Sequence, residues 1–500
     1  MMTKSWGVFM LGLVWLVGLA GASGAADLEF DPDSGVTATL TLKGSTITYR
    51  AYENVPYVSR PAEAKVQVMN IYIPEPYFEG GTLGGYTAET APIFFPNTVG
   101  GYLPGAPGGP GEDRDGNPNA SFWALSRGYV VASPGVRGRT TQDESGRYTG
   151  KAPACIIDLK AAVRYLHHND KRMPGDAARI VSNGTSAGGA LSALLGATGN
   201  APDYEPYLSS LGAAEASDDI FAVSAYCPIT NLEHADMAYE WLFNGVNDYE
   251  QTMIPGTMPS PGGRAVISQE ARPKIKGTLT EEQIRASGEL KRRFTEYLNG
   301  LNLEGNGTTL TLDADGEGSF KDYVGSWVIA SAQKAMDKGT DLSGLEWLSV
   351  RDGKVTAADF GAYIRYVGRM KTAPAFDAPD LSTGENELFG TQSIKARHVT
   401  HFGQDHDTAG GSLAESTIIK MLNPMNYIGL DGATSARHWR IRHGAIDRDT
   451  ALAVPVILAA ALEKAGPAVD FAVPWGQGHG GDYDLDELFD WIRSVCAEGR

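Results

Sequence analysis

The spacing of apolar residues alternates between a pattern typical of strands and one typical of helices. Short apolar runs bounded by glycine, proline or polar residues predict strands at 66–74, 91–96, 128–133, 178–182 and 221–227. Helices are predicted at 154–168, where apolar residues share one side, and at 187–197, which is rich in small residues. Because strands alternate with helices, we expect βαβ units, a mostly parallel sheet and therefore an α/β fold.

This regular pattern is interrupted in the middle of the chain. From 229 to 420 the sequence is long, polar and irregular, with a charged amphipathic helix predicted near 280–298. Alternation then resumes, with strands predicted at 438–443 and 469–474 and helices at 450–465 and 484–495. We expect an α/β core formed by 26–228 and 421–500, with 229–420 inserted as a cap. An independent C-terminal domain is the weaker alternative, because the last two strands have no complete sheet of their own.

The first 25 residues have the features of a signal peptide. Lys4 precedes an apolar run at 6–20, and small residues at 21–25 offer a cleavage site. We therefore expect an exported protein, periplasmic or secreted, with no membrane association once the signal is removed; an uncleaved anchor is the alternative. The formal charge of −18 becomes −19 without Lys4, which argues against nucleic acid or anionic lipid as partners.

A sharp turn between a predicted strand and a predicted helix carries the first chemical signal. Gly184-Thr185-Ser186-Ala187-Gly188 matches Gly-x-Ser-x-Gly in the strand–turn–helix context that an α/β-hydrolase nucleophile requires. The glycines let the chain turn tightly, so that the serine stands at the carboxyl edge of the sheet. The following helix directs its N-terminal N–H groups at an oxyanion formed there. We predict that Ser186 is a nucleophile and that Ala187 supplies one oxyanion donor.

A serine nucleophile needs a base and an acid, and the loops after the last two strands offer both. His479 follows the final strand in a glycine-rich loop at 475–482. Asp447 and Asp449 follow the preceding strand, in the chain order serine, acid, histidine. The residues alone do not choose between the aspartates. Asp447 is nearer the strand end, whereas Asp449 could instead cap the next helix.

The remaining chemistry is less specific. The loop after the strand at 91–96 offers Gly100 or Gly101 as a second oxyanion donor. Cys155, Cys227 and Cys496 are too few and too far apart for a disulfide framework, although one pair could bridge in an oxidising compartment. Without Cys-x-x-Cys or His-x-x-x-His spacing we predict no metal site, and no organic cofactor is needed for the proposed chemistry.

Longer blocks of sequence carry a resemblance to a known family. The segments 184–197, 226–232 and 234–241 resemble bacterial tannase (tannin acyl hydrolase), and the similarity extends from about residue 30 to the C-terminus. The resemblance implies an α/β-hydrolase with a large cap after the strand that ends near Cys227. It also implies a Ser186–Asp447–His479 triad acting on galloyl esters. Lys371, Glu385 and Asp449 are then implied to hold the three phenolic hydroxyls of the galloyl ring.

Other functions share the same triad. A feruloyl esterase or general carboxylesterase is the nearest alternative, and a serine peptidase is a second one. A catalytically inactive protein that uses the cap only for binding is the alternative from another class. For the galloyl enzyme we expect a small phenolic ester as substrate.

Overall fold

The computed structural model describes residues 27–252 and 274–497. Within them the strands form one nine-stranded sheet, in the order β1-β2-β3-β5-β4-β6-β7-β14-β15, and three two-stranded sheets. The strands are β1 (Val36–Leu42), β2 (Ser45–Pro56), β3 (Val68–Pro74), β4 (Pro92–Pro96), β5 (Val130–Pro134), β6 (Asp176–Thr185), β7 (Ala222–Tyr226), β8 (Asp248–Thr252), β9 (Lys274–Thr278), β10 (Glu304–Gly305), β11 (Thr308–Thr309), β12 (Leu348–Arg351), β13 (Lys354–Ala358), β14 (His438–Arg442) and β15 (Ala468–Ala472).

The large sheet is parallel where the site is built. From β5 to β15 all neighbouring strands are parallel, whereas β1, β2 and β3 add an antiparallel edge. Strands β4, β5, β7 and β14 are buried almost throughout, as expected for strands covered on both faces. The carboxyl ends of β6, β14 and β15 therefore meet at one edge of the sheet. The predicted α/β fold with a mostly parallel sheet is confirmed.

Helices cover the sheet and fill the segment between β7 and β14. They are α1 (Ala120–Ser126), α2 (Ala154–His168), α3 (Ala187–Ala197), α4 (Glu205–Leu211), α5 (Leu232–Phe243), α6 (Glu281–Gly300), α7 (Ser319–Asp337), α8 (Phe360–Val367), α9 (Gly384–Leu388), α10 (His401–Asp405), α11 (Ser416–Met421), α12 (Ala453–Ala465) and α13 (Leu485–Ala497). The two helices predicted before 200 have the predicted bounds. Both are almost fully buried, because their small and apolar side chains pack against the sheet.

The segment between β7 and β14 leaves the sheet and returns to it. Strand β14 pairs in parallel with β7, so about two hundred intervening residues, which include α5 to α11, are bracketed by adjacent strands. One contiguous hydrophobic cluster in the described residues joins core side chains such as Ile93 and Trp439 to Phe294 and Phe320 of this segment. Tight packing of this kind fixes the segment over the sheet and gives it a defined position relative to the sheet edge.

One feature of the N-terminal half was not anticipated from the sequence. The β1–β2 hairpin extends the sheet with antiparallel strands, and the partly polar pattern of its exposed faces gave only a weak signal. The predicted signal segment 1–25 lies outside the described residues. No helix among the described residues is long and apolar enough to cross a membrane.

Candidate active site

Ser186 occupies a strained turn between β6 and α3. Its backbone has φ 61° and ψ −123°, a region that side chains other than glycine rarely adopt. The turn is held because the Ser186 N–H donates to the Tyr226 carbonyl over 2.9 Å. The flanking glycine at 188 is required by close packing, since a β-carbon there would lie 2.6 Å from Asn97 Oδ1. The side chain of Ser186 is thereby presented half-exposed at the sheet edge.

His479 and Asp447 form a hydrogen-bonded pair at the same edge. His479 Nδ1 lies 2.8 Å from Asp447 Oδ2, and the Asp447 side chain is fully buried. The other oxygen of Asp447 accepts the backbone N–H groups of Asp449 over 2.8 Å and of Thr450 over 3.3 Å. Asp447 therefore caps its own turn, and α12 begins later, at Ala453.

The two partners shift each other's pKa. Burial opposes the charged form of both groups. At His479 the negative charges of Asp447 and Asp449 outweigh the effect of burial and hold the pKa of the imidazole well above its usual value. At Asp447 the His479 and His443 imidazoles likewise outweigh the effect of burial and hold the pKa of the carboxyl below its usual value. Asp447 therefore stays ionised and stabilises the cationic form of His479, which is the acid's role in a catalytic triad.

The histidine loop packs directly on the nucleophile turn. A β-carbon at Gly481 would overlap Thr185 Oγ1, the neighbour of Ser186. The Gln477 carbonyl accepts the Ile446 N–H over 2.9 Å, which ties the histidine loop to the aspartate loop. Among the described residues no hydrogen bond joins the Ser186 hydroxyl to His479. Hydrogen bonds between catalytic groups are often long or poorly aligned in unliganded active sites and tighten when substrate binds.

The first turn of α3 is open to an oxyanion. No side chain caps its N-terminus, so the N–H groups that follow Ser186 are available. The loop with Gly100 and Gly101 lies against this turn, because a β-carbon at Gly188 would be 2.7 Å from the Val99 carbonyl. Both glycines therefore stay candidates for the second donor.

A group of charged side chains borders His479 where the segment between β7 and β14 meets the sheet edge. Lys371 Nζ donates to Asp449 Oδ1 over 3.0 Å, and the same oxygen lies 3.9 Å from His479 Nε2. Burial opposes the charge on Lys371, but Asp449 and Glu385 outweigh it and raise its pKa. Burial raises the pKa of Glu385, although Lys371 partly opposes this. We call Lys371, Glu385 and Asp449 the charged wall.

Two residues that the sequence did not single out position this wall. The Tyr239 hydroxyl accepts the Lys371 N–H over 3.0 Å and donates to the Arg448 carbonyl over 2.9 Å. Arg139 donates to the Gly101 carbonyl over 2.9 Å and pairs with Glu387. Arg139 follows β5 at the same sheet edge, which was the signal available in the sequence. It connects the oxyanion loop to helix α9, which carries Glu385.

Of the two glutamates in α9, only Glu385 belongs to the charged wall. Glu387 is neutralised by Arg139 and by Lys395, whose Nζ lies 3.1 Å from its carboxylate. No other residue in the described part of the chain donates a hydrogen bond to the Glu385 carboxylate, which interacts electrostatically with Lys371 and Asp449. Glu385 therefore keeps its hydrogen-bond acceptor capacity, whereas the Glu387 carboxylate is occupied by two cations.

Comparisons with known proteins agree with this geometry. The family model BD-FAE matches residues 111–264. A carboxylesterase NlhH of Mycobacterium tuberculosis is 29% identical over 141 residues, 27% of this chain, and the match spans 43% of that relative's length. The tannase of Fusobacterium nucleatum is 51% identical over 94% of this chain and 99% of its own, with a TM-score of 0.89. This chain belongs to the bacterial tannase family.

Further solved members of the family support the assignment. A tannin acyl hydrolase of Lactobacillus plantarum is 48% identical over 94% of this chain and 99% of its own, with a TM-score of 0.87. A tannin acyl hydrolase solved in complex with ethyl gallate has the same identity and coverage, with a TM-score of 0.86. Bacterial tannases are carboxylic ester hydrolases with an α/β-hydrolase fold, and the structure described above has this fold.

Proposed function

We propose that this protein is a serine esterase that hydrolyses galloyl esters through an acyl-enzyme. The charged wall carries the proposal, because it places an ammonium and a carboxylate 3.0 Å apart directly beside the imidazole of His479. The ethyl gallate complex of a similar tannin acyl hydrolase supports the same substrate class.

In the proposed mechanism Ser186 is the nucleophile, His479 the base and Asp447 the acid that orients it. His479 takes the hydroxyl proton as Ser186 Oγ bonds to the galloyl carbonyl carbon. The N–H groups of Ala187 and of Gly100 or Gly101 stabilise the oxyanion. His479 then returns the proton to the departing alcohol. Water, deprotonated by His479, attacks the acyl-enzyme and releases gallate.

In this proposal the charged wall selects the ring. Asp449 and Glu385 accept hydrogen bonds from phenolic hydroxyls, and Lys371 donates to one hydroxyl oxygen. A ring without hydroxyls would displace solvent from these partly buried groups without replacing the hydrogen bonds to it, which opposes its binding. The wall thus favours a polyhydroxylated benzoate over a plain acyl group.

A general carboxylesterase is the second candidate function, and the partial match to the mycobacterial carboxylesterase supports it. That match covers 141 residues, which is too short to include both the nucleophile turn and the histidine loop of this chain. It therefore supports ester hydrolysis only as a general class of reaction.

A panel of purified-enzyme assays tests the proposal. The rates of hydrolysis of gallate, protocatechuate, ferulate and acetate esters are measured at equal concentration. We expect the gallate ester to be preferred, followed by protocatechuate, because each lost hydroxyl leaves one polar group of the wall unpaired. Equal kcat/KM for gallate and acetate esters would contradict galloyl recognition and favour the general carboxylesterase.

Two organisational predictions belong to the same proposal. Residues 229–420 are proposed to act as the cap that contributes Lys371 and Glu385, while 26–228 and 421–500 supply the triad. Residues 1–25 are proposed to direct export to the periplasm or beyond. N-terminal sequencing of the protein recovered from a periplasmic or culture fraction tests export, and an intact N-terminus in the cytoplasmic fraction would contradict it.

A further inference from the structure

Cys227 lies beneath the histidine loop, although nothing in its sequence context indicated a site. It follows β7 directly, is fully buried and has φ 44°. Its Sγ is 3.4 Å from the Gly480 carbonyl and 3.9 Å from the Gly478 carbonyl, the two peptide groups that flank His479. The thiol is therefore placed against the catalytic pair, 252 residues from His479 in the sequence.

The thiol, the carboxylate and the imidazole are close enough to share one cation. One ligand atom from each of Cys227, Asp447 and His479 lies within 4.8 Å of the other two. Three ligands at 2.0 to 2.3 Å from a zinc ion have mutual separations of about 3.3 to 3.8 Å. The hydrogen bond of 2.8 Å between His479 and Asp447 then has to open by about half an ångström.

A fourth donor stands beside the group and lacks a hydrogen-bond partner. His443 is 1% exposed, and neither of its ring nitrogens makes a hydrogen bond to another described residue. Its Nδ1 lies 3.7 Å from Asp447 Oδ2, the oxygen that also binds His479. A buried polar group without a partner is unusual and calls for an explanation. His443 is outside the set of atoms that lie within 4.8 Å of one another, so its ring has to move toward the other three side chains to complete a ligand set of one sulfur, two imidazole nitrogens and one carboxylate oxygen.

We propose that Cys227, Asp447, His479 and His443 form an inhibitory site for a thiophilic divalent cation, such as Zn²⁺ or Cd²⁺. The cation replaces the thiol proton of Cys227, which leaves to solvent. It also displaces the proton that His479 Nδ1 donates to Asp447, and that proton is released while the neutral imidazole carries its proton on Nε2. The cation then binds the thiolate together with the imidazoles and the carboxylate. Binding breaks the His479–Asp447 hydrogen bond, so that the imidazole loses the orientation that proton transfer requires. The enzyme stops while the cation is bound and recovers when a chelator removes it.

The route to the site runs through the histidine loop. The His479 side chain is 24% exposed, whereas Cys227 and Asp447 are fully buried. The loop contains Gly478 and Gly480, whose missing β-carbons would meet no atom within 4 Å. We therefore expect binding to need a local opening of this loop and to be slower than diffusion.

Cation binding is measured first without any use of hydrolysis. Full-length Ser186→Ala protein is titrated with CdCl₂, and the ultraviolet absorption band of the cadmium–thiolate bond is followed. We expect the band to appear with one cation per chain and to be lost in the protein that also carries Cys227→Ser. Because Ser186→Ala carries no triad activity, this result is independent of whether galloyl esters are the substrate.

Inhibition by Zn²⁺ is measured next, in enzyme that retains Ser186. The rate of each variant is expressed relative to its own rate without Zn²⁺. Cys227→Ser and His443→Gln should each raise the half-inhibiting concentration by at least about ten-fold, since even outer-sphere changes cost that much affinity. Cys496→Ser, which removes another buried thiol, should leave it unchanged. Ser186→Ala protein that shows no cadmium–thiolate band, or a Cys227→Ser variant inhibited by Zn²⁺ like wild type, would overturn the proposal.

Discussion

The sheet edge with the proposed triad holds its polar groups in a different way from the charged wall. At the edge both oxygens of Asp447 are used: one binds His479 over 2.8 Å and the other accepts two backbone N–H groups. On the wall Lys371 has one carboxylate partner, Asp449, and Glu385 receives no hydrogen bond from another described residue. The Asp447 carboxylate is saturated by protein contacts, whereas the wall retains hydrogen-bonding capacity for a ligand.

This difference separates two tasks. Groups that perform proton transfer need fixed orientations, which short loops anchored on buried parallel strands provide. Groups that recognise a ring need free donors and acceptors in a desolvated setting, so that a wrong ligand leaves them unpaired. We therefore expect changes at the edge to reduce hydrolysis of every ester, and changes on the wall to reduce mainly hydrolysis of gallate esters.

The largest expected effect is that of Ser186→Ala. Removal of the nucleophile should lower kcat by about 10⁶-fold for gallate and acetate esters alike, because no acyl-enzyme can form. Steady-state assays with both esters measure the loss, and an unchanged thermal melting temperature shows that the fold is intact. Turnover like that of wild type would remove Ser186 from the mechanism.

Asp447→Asn should have the next largest effect. An amide keeps the shape of the side chain, but it favours the wrong tautomer of His479 and cannot stabilise the imidazolium. We expect kcat to fall by about 10⁴-fold for both esters. A loss confined to gallate esters would instead assign Asp447 to ring recognition and break the division between edge and wall.

Gly481→Ala probes how closely the histidine loop packs on the nucleophile turn. The new methyl group would overlap Thr185 Oγ1 and displace His479, and a displacement of about 1 Å costs about 10²-fold in rate. Gly480→Ala is the matched control, because a β-carbon there meets no atom within 4 Å. Equal activity of the two variants would show that this contact does not position the histidine.

The smallest expected effect is a shift of the pH profile. His479 must be neutral to act as base, and nearby carboxylates raise its pKa, so kcat/KM for an acetate ester should rise with pH through a midpoint above 6.5. Asp449→Asn removes one of these charges and should move the midpoint to lower pH. An acetate ester is used because its acyl group has no ring, so that contacts between a ring and the charged wall do not affect the pH profile. A midpoint that stays in place or moves upward would contradict the electrostatic coupling.

The parts of the molecule that were predictable from sequence are those with a local signal. The helices at 154–168 and 187–197 have clear apolar patterns and sharp ends. The loops after β6, β14 and β15 follow strands that short apolar runs in the sequence predict. The residues that depend on distant contacts had no such signal. Lys371 and Glu385 came only from the family resemblance. Tyr239, Arg139, Cys227 and His443 acquire their positions from tertiary packing across long sequence separations.

The separation between edge and wall is tested most directly by Lys371→Ala. Its kcat/KM for methyl gallate should fall by about 10- to 100-fold, the cost of losing one charged hydrogen bond. The rate at which a fluorophosphonate labels Ser186, measured at a pH above the His479 midpoint, should fall much less than this, because Lys371 reaches His479 only through Asp449. Lys354→Ala, at an exposed lysine of β13, is the control. A parallel fall in both rates, or unchanged gallate hydrolysis, would contradict the account.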